Sequence, residues 1–394
     1  MSIFLILLAL ATLIAGAWRG VSVLVLAPSL AMLAALASGT PVLAGYTQVF
    51  MQAAGVFVVA FFPLFLLGAL FGKVMEASGA AACLASAIVT KLGPQNAILA
   101  VVLSCALLTY GGASLFVVAF AAWPLARALF AQTGLPARLI PAAIALGAFT
   151  FTMTALPGTP SIQNAIPMAT FGTTAFAAPG LGLIAGGVML TLGLVWLQFR
   201  VRSLAGDAAP DAPNATPDAR PLPLWIALVP ILSVGVVTLM MGNVLLPALD
   251  TGYLADPAFG ATELSRVRGL WSVITALGVA LAPALVLSRP PRMMQVLNTG
   301  AESALLPLFN TASLVGFGAV IASLPGFEVL QASLDGLSGG MSIALDVLGP
   351  SLMAQASVQG VDPALLHRVV AVATGGLDTL PHNGAVVTLL VFPT

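Results

Sequence analysis

An acidic side chain and an imidazole stand four residues apart in a largely apolar part of the chain, at Asp378 and His382. Apolar residues 369–373 precede them, and the run 385–392 follows. An ionisable group in such surroundings indicates a functional role, and histidine titrates near neutral pH. We predict that Asp378, with His382, carries a coupling proton. The alternatives are a loop that happens to hold both residues and a helix cap formed by Asp378.

An uncharged polar segment, Thr150–Thr174, has Leu-Pro-Gly-Thr-Pro-Ser at its centre, residues 156–161. An α-helix cannot continue through these two prolines, because each lacks an N–H and disfavours helical backbone in the residue before it. We predict an unwound break, with a new helix beginning near Ser161. Amides and hydroxyls at the break would bind a carboxylate or sugar-like hydroxyl groups. The alternative is a polar contact between two helices.

Two Gly-Gly-x-Ser elements, at 111–114 and 339–342, each precede an apolar run. Glycine permits a tight turn and a close approach of backbone to ligand, so we predict the tips of two hairpins that point into the membrane. Packing of small residues between helices is the alternative. Together with the breaks, these elements give the predicted substrate-binding residues: Gly111, Gly112, Ser114, Thr159, Ser161, Asn164, Gly339, Gly340, Ser342, Thr379 and Asn383.

Membrane helices must position these groups. Charged residues are 7% of the 394, where soluble domains carry about 25%, and hydrophobic residues are 60%. This composition excludes an ordinary soluble protein and a disordered one. The sequence predicts an all-α polytopic membrane protein, with no metal, no cofactor and no nucleic-acid partner. Spans are predicted near 2–17, 21–38, 46–72, 96–108, 114–131, 137–156, 164–175, 178–199, 223–247, 267–288, 299–323, 340–356 and 364–390.

A proline-rich segment, 206–223, divides the chain near its midpoint. Five prolines prevent a helix there, and three aspartates require water. Arg200, Arg202 and Arg220 flank the segment, so the positive-inside rule places it in the cytoplasm. We predict a first transmembrane repeat at 1–202, a cytoplasmic linker at 203–222 and a second repeat at 223–394, in the inner (plasma) membrane.

Short motifs recur in the same order in the two halves. Paired Gly/Pro-interrupted segments at corresponding places indicate a transporter's binding site, because bare backbone at mid-membrane depth is tolerated only where it lines a cavity. The N-terminal ends of half-helices carry partial positive charge, which suits an anion. The matches are Pro63-Leu64-Phe65 with Pro307-Leu308-Phe309, Gly111–Leu115 with Gly339–Ile343, Gly134–Pro136 with Gly360–Pro363, and Leu156–Thr159 with Leu380–Asn383.

Four segments carry a resemblance to a known family. Phe61–Met75, Leu107–Phe120, Leu139–Pro167 and Gly375–Leu390 resemble the gluconate permease family, proton-coupled organic-anion symporters of the ion transporter superfamily. The stretch Tyr110–Val117 has no acidic residue, which makes the chain more similar to members for hydroxybutyrate-like monocarboxylates. The resemblance implies two inverted repeats with re-entrant hairpins and broken helices, a dimerising scaffold with an elevator-type transport domain, and at least one further helix after Val386–Thr394.

The function expected from these features is proton-coupled symport of a small organic anion, a hydroxy-monocarboxylate such as hydroxybutyrate or gluconate, by a homodimer. Sodium coupling through backbone carbonyls at the breaks is the main alternative. An intramembrane hydrolase is less favoured, because its chemistry has no use for a paired repeat. A channel is also less favoured, and concentrative, saturable uptake would exclude it. Few fixed cations are expected in the core, so helix ends would supply the positive potential. His367 and Arg368, at the start of a predicted span, are expected at the membrane interface.

Overall fold

The computed structural model describes residues 2–111, 115–204, 222–259, 261–324, 327 and 341–378, and these residues are helical with short connections. Two longer helices each contain a π-helical stretch, Gly45–Phe50 in α3 and Met241–Leu245 in α11. The helices are α1 (Ser2–Trp18), α2 (Val23–Ala37), α3 (Val42–Ala77), α4 (Ala80–Leu92), α5 (Ala97–Tyr110), α6 (Leu115–Thr133), α7 (Ile140–Ala148), α8 (Phe151–Thr154), α9 (Ile162–Phe171), α10 (Pro179–Ser203), α11 (Leu224–Ala248), α12 (Leu264–Ser288), α13 (Met293–Ala322), α14 (Met341–Gln359) and α15 (Pro363–Asp378).

Several helices are built to face lipid. Six stretches of the described chain are long and apolar enough to cross a bilayer, α10 and α11 among them. α10 exposes Leu183, Ile184 and Leu192, each by 60% or more, and in water such a stripe would be costly. At the end of α10 the Arg200 guanidinium lies 5.9 Å from the centre of the Trp196 ring, a pairing typical of the membrane interface. The predicted polytopic, all-α class is confirmed for the described residues.

Two long helices from the two halves, α3 and α13, pack along one another. A methyl group at Gly316 would lie 2.8 Å from the Phe50 carbonyl oxygen, and one at Gly300 would lie 3.2 Å from Leu70 Cα. The start of α3 therefore meets the end of α13, and the helices are antiparallel. Between these contacts, Pro63 and Pro307 fall at about the same level. α2 also packs on α13, and α12 packs on α3.

Small residues make these close contacts possible. α2 buries Ala27, Ala31, Ala34 and Ala35, which form one face. Such faces let backbones approach in lipid, where no hydrophobic effect drives helices together.

A second group of helices surrounds α8 and α9. α5 packs on α7 and α8, α12 and α14 pack on α9, and α15 packs on α8, α9, α10 and α14. The predicted spans correspond to helices throughout the described chain. Sequence reasoning missed α4, Ala80–Leu92. The predicted linker and the boundaries of the two repeats stay predictions, because residues 205–221 lie outside the described residues.

Candidate functional site

The predicted unwound break lies between α8 and α9. Residues 155–161 separate the two helices. Gly158 has φ = +84°, in the left-handed region that favours glycine. The Ser161 hydroxyl donates a 2.5 Å hydrogen bond to the Met153 carbonyl oxygen and so links the two sides. The break and the restart of the helix near Ser161 are therefore confirmed.

Asn164, in the first turn of α9, holds the break together. Its Nδ2 donates to the carbonyl oxygens of Thr159, at 2.9 Å, and Ala175, at 3.1 Å. The Gly158 N–H donates to the same Ala175 oxygen at 2.8 Å. Asn164 and Thr159 are fully buried, so these bonds satisfy backbone groups that water cannot reach. Thr159 Oγ1 is also buried, and it has no hydrogen-bond partner.

The end of α5, which leads to the first predicted hairpin tip, lies against the break. Tyr110 Oη donates to the Pro157 carbonyl oxygen at 3.0 Å. A methyl group at Gly158 would lie 2.5 Å from the Phe176 ring and 2.7 Å from Tyr110 Oη, so both backbone conformation and space require glycine there. Gly111 follows Tyr110 directly, and a methyl group there would lie 2.8 Å from Ile231 of α11, while the rest of the predicted tip, residues 112–114, lies outside the described residues.

α15 contributes a buried histidine to the same site. His367 is 0% exposed, with Nε2 2.9 Å from Asn164 Oδ1 and Nδ1 2.5 Å from Thr173 Oγ1. The Asn164 amide donates through Nδ2 to two carbonyls, so its Oδ1 must accept from His367 Nε2–H. The histidine thus joins α15, in the second half of the chain, to the break in the first half.

Arg368, the next residue, is also fully buried. Its Nε and Nη2 donate to the Ala177 carbonyl oxygen at 3.1 and 2.9 Å, and Nη2 also donates to Ala175 at 3.1 Å. Its Nη1 is buried without a hydrogen-bond partner. Among the described residues the ion pair is Lys73–Glu76, so no described carboxylate pairs with Arg368.

The expectation that His367 and Arg368 lie at the membrane interface is wrong. α15 exposes Leu365 and Val369 by 43% and 54%, while it buries the two polar residues between them. Its apolar face is therefore outward and its polar face inward, as lipid requires. One fixed cation, the Arg368 guanidinium, lies beside the break, so a side chain adds to the positive potential that was expected from helix ends.

The sequence-predicted substrate residues divide into two groups. Thr159, Ser161 and Asn164 come together at the break, and Gly111 follows Tyr110, whose hydroxyl bonds the Pro157 carbonyl oxygen. Ser342 and Asp378 belong by backbone to α14 and α15, but their side chains lie outside the described residues. The remaining predicted residues also lie outside them: Gly112, Ser114, Gly339, Gly340, Thr379, His382 and Asn383.

The backbone still shows where the second half approaches. A methyl group at Gly375 would lie 2.9 Å from Thr154 Oγ1, so α15 runs past the end of α8 three residues before Asp378. A methyl group at Gly349 on α14 would lie 2.6 Å from Thr170 on α9. Both helices that flank the second set of predicted residues therefore contact the helices on either side of the first break, α15 at the end of α8 and α14 near the end of α9.

A search of known proteins finds a relative over the whole chain. The chain is 39% identical over 435 aligned positions to the uncharacterized transporter YxjC of Bacillus subtilis (strain 168), and the match covers 99% of this chain and 92% of the relative. No family model matches the chain, and no solved structure does.

Proposed function

The chain belongs to the transporter family of YxjC, and from this premise we propose that it is a secondary active transporter that carries a small organic anion by symport with protons. The observation that carries the proposal is a buried cation, Arg368, beside a broken helix.

The charge of the site favours an anion. Burying an isolated guanidinium costs several kcal/mol, and hydrogen bonds to a charged group return about 1.5–3 kcal/mol each. The three bonds from Arg368 to the carbonyls of Ala175 and Ala177 offset this cost without neutralising the charge. A carboxylate substrate would supply a counter-charge, which no carboxylate among the described side chains provides. Arginine also suits this task because its planar fork matches the two carboxylate oxygens.

The polar groups around the break favour a small hydroxylated acid. Thr159 Oγ1 is buried without a partner, and Ser161 presents a second hydroxyl. Neutral groups of this kind orient a hydroxyl substituent and still allow release, which a carrier needs for turnover. The proposed substrate is therefore a hydroxy-monocarboxylate such as hydroxybutyrate or gluconate.

Hydrogen bonds to three carbonyls at and beside the break support protons over sodium. Sodium would use carbonyl oxygens at such a break as ligands, and hydrogen bonds make these oxygens less available to it. Here the oxygen of Pro157 accepts from Tyr110, that of Thr159 accepts from Asn164, and that of Ala175 accepts from three donors. For the coupling proton we keep Asp378, with His382, as the proposed carrier.

The packing of the long helices supports an inverted repeat. An inverted pair makes reciprocal contacts, and α2 lies on α13 as α12 lies on α3. Pro63 and Pro307, which belong to matching motifs, fall at about the same level of the antiparallel pair. We propose that these helices form the scaffold of an inner-membrane homodimer, and that the break and α15 belong to a part that moves as an elevator.

The test is uptake into proteoliposomes. With a proton gradient, inside alkaline, we expect concentrative uptake of a hydroxy-monocarboxylate, and a sodium gradient alone should drive none. Asp378→Asn should abolish accumulation yet keep exchange of labelled for unlabelled substrate. Asp362→Asn is the matched control, because Asp362 is exposed at the other end of α15 and caps Ala364 N–H.

Uptake driven by sodium alone would refute proton coupling. Wild-type protein that neither accumulates nor exchanges any monocarboxylate of the panel would refute the anion assignment.

A further inference from the structure

His367 can change its protonation state without moving a heavy atom. Its Nε2–H donates to Asn164 Oδ1, an atom that only accepts. Its Nδ1 faces Thr173 Oγ1, and a hydroxyl can either donate or accept. In neutral His367 the Thr173 O–H donates to Nδ1. In the imidazolium Nδ1–H donates to the Thr173 oxygen, and the hydroxyl hydrogen turns away. A histidine that served packing alone would not need so permissive a partner.

The charged groups near His367 are few. α8 and α9, which pack against α15, carry no titratable side chain. α10 carries Arg200 and Arg202 in its last turn, but it meets Arg368 near Gly182 in its first turn. α14 carries Asp346, whose side chain lies outside the described residues. α12, which packs on α9, carries Arg266, which is exposed, and Arg268, whose Nε is buried without a hydrogen-bond partner.

Arg368 is therefore the described charge that adjoins His367 directly. Both side chains bond to one short segment, His367 to Thr173 and Arg368 to Ala175 and Ala177. Two positive charges side by side in a low-dielectric site repel one another strongly. An anion at Arg368 would cancel that repulsion, so anion binding and protonation of His367 would favour each other.

Two buried groups without partners mark where the anion would bind. Arg368 Nη1 and Thr159 Oγ1 are both buried with no hydrogen-bond partner. Asn164 links the two groups. Its Nδ2 donates to the carbonyl oxygen of Thr159 and to that of Ala175, and Arg368 Nη2 donates to the same Ala175 oxygen. A carboxylate that accepts from Arg368 Nη1 and Thr159 Oγ1 would satisfy both groups.

We propose that His367 is a protonation site linked to substrate binding, which takes up a proton at Nδ1 when a carboxylate neutralises Arg368 and releases it when the carboxylate leaves. The inference rests on the proposed anion transport and adds a second proton-binding residue to Asp378. By thermodynamic linkage the proton raises the affinity for the anion as much as the anion raises the affinity for the proton.

The test compares His367→Gln with wild-type protein in the same proteoliposomes, using hydroxybutyrate as the probe. Glutamine keeps a donor for Asn164 and cannot be protonated. Proton-driven accumulation should fall by about 5- to 150-fold, the usual range for coupling between two sites, while exchange of labelled substrate continues. Calorimetry in buffers of different ionisation enthalpy should show proton uptake on hydroxybutyrate binding by the wild type, and less by the variant.

Thr173→Val gives a second, milder variant, because it removes only the hydroxyl that accommodates both protonation states. It should reduce proton-driven accumulation more strongly than it reduces exchange of labelled substrate. Thr238→Val is its matched control: Thr238 is 1% exposed, and its hydroxyl bonds only Val234 O of its own helix. His367→Asn replaces the glutamine variant if that protein fails to fold.

The outcomes separate the two proposals. Wild-type protein without proton-driven uptake would refute the proposed function. If the wild type accumulates substrate and His367→Gln does so equally, with unchanged proton uptake on binding, His367 is a packing residue and the inference fails. If Asp378→Asn loses accumulation and His367→Gln does not, His367 is likewise a packing residue. That result would leave the proposed proton symport standing.

Discussion

α7 and α15 are the helices that lead into the predicted break of each half, and they differ where they should match. Counted from Pro136 and Pro363, which the sequence repeat equates, Ile140 in α7 corresponds to His367 in α15. Ile140 is 1% exposed and His367 is 0% exposed, so the two positions are equally buried. One is filled by an apolar side chain and the other by a polar one.

The two helices also differ in continuity before the break. α7 stops at Ala148, and a separate turn, α8, follows it before the break. α15 continues without interruption to Asp378. The comparison teaches that two helices matched by the predicted repeat can hold different side chains: α7 serves packing, whereas α15 brings hydrogen bonds and a charge to the break in the first half.

The largest effect is expected when the charge on α15 is removed. Arg368→Gln should abolish anion uptake, because the buried counter-charge for the carboxylate is lost. Uptake and binding of hydroxybutyrate measure the effect. Arg202→Gln, at the exposed end of α10, should transport like the wild type. Undiminished uptake by Arg368→Gln would mean that α15, like α7, serves packing and does not bind the anion.

A smaller effect, on stability, is expected at Asn164, the side chain of the first half that bonds His367 of α15. Asn164→Ala removes three hydrogen bonds and leaves the Thr159 carbonyl and His367 Nε2 buried without this partner. An unsatisfied buried group costs about 1–3 kcal/mol, so the melting temperature in detergent should fall clearly.

Asn243→Ala makes the same change at an exposed residue that bonds its own helix at Leu239 O, and it should leave the melting temperature nearly unchanged. Equal shifts for the two variants would contradict a special role for Asn164.

The smallest effect is expected on α7. Ile140→Val removes one methylene from a packed position and should cost about 0.5–1.5 kcal/mol of stability. Proton coupling should be unchanged, because no polar group is altered. The same uptake assay, run with and without the gradient, checks this. A change in coupling would show that α7 shares the role that we give to α15.

Local chemistry made much of this arrangement predictable. The break at residues 155–161 could be predicted because Pro157 and Pro160 act on their own backbone, and Gly158 supplies the conformation that they need. The lipid-crossing helices could be predicted because a bilayer demands long apolar runs. α4 was missed because it has only 13 residues and carries Lys91 in its last turn, so it does not look like a span.

The inward position of His367 and Arg368 could not be predicted from local chemistry, because it depends on segments far away in the sequence. A signal was nevertheless present in α15. Placed on a helix, Arg368 falls on one face with the small residues Ala371 and Gly375, while Leu365 and Val369 share another. In a membrane protein the face with small and polar residues is the one to place inward.

The Ala175 carbonyl oxygen accepts from three parts of the chain: the break through Gly158, α9 through Asn164 and α15 through Arg368. Releasing any one of these donors leaves the other two in position. We therefore expect the three parts to travel as one rigid block during each transport cycle. In the proposed elevator movement, a block whose parts stay bonded to one another would open no path for water or ions between them.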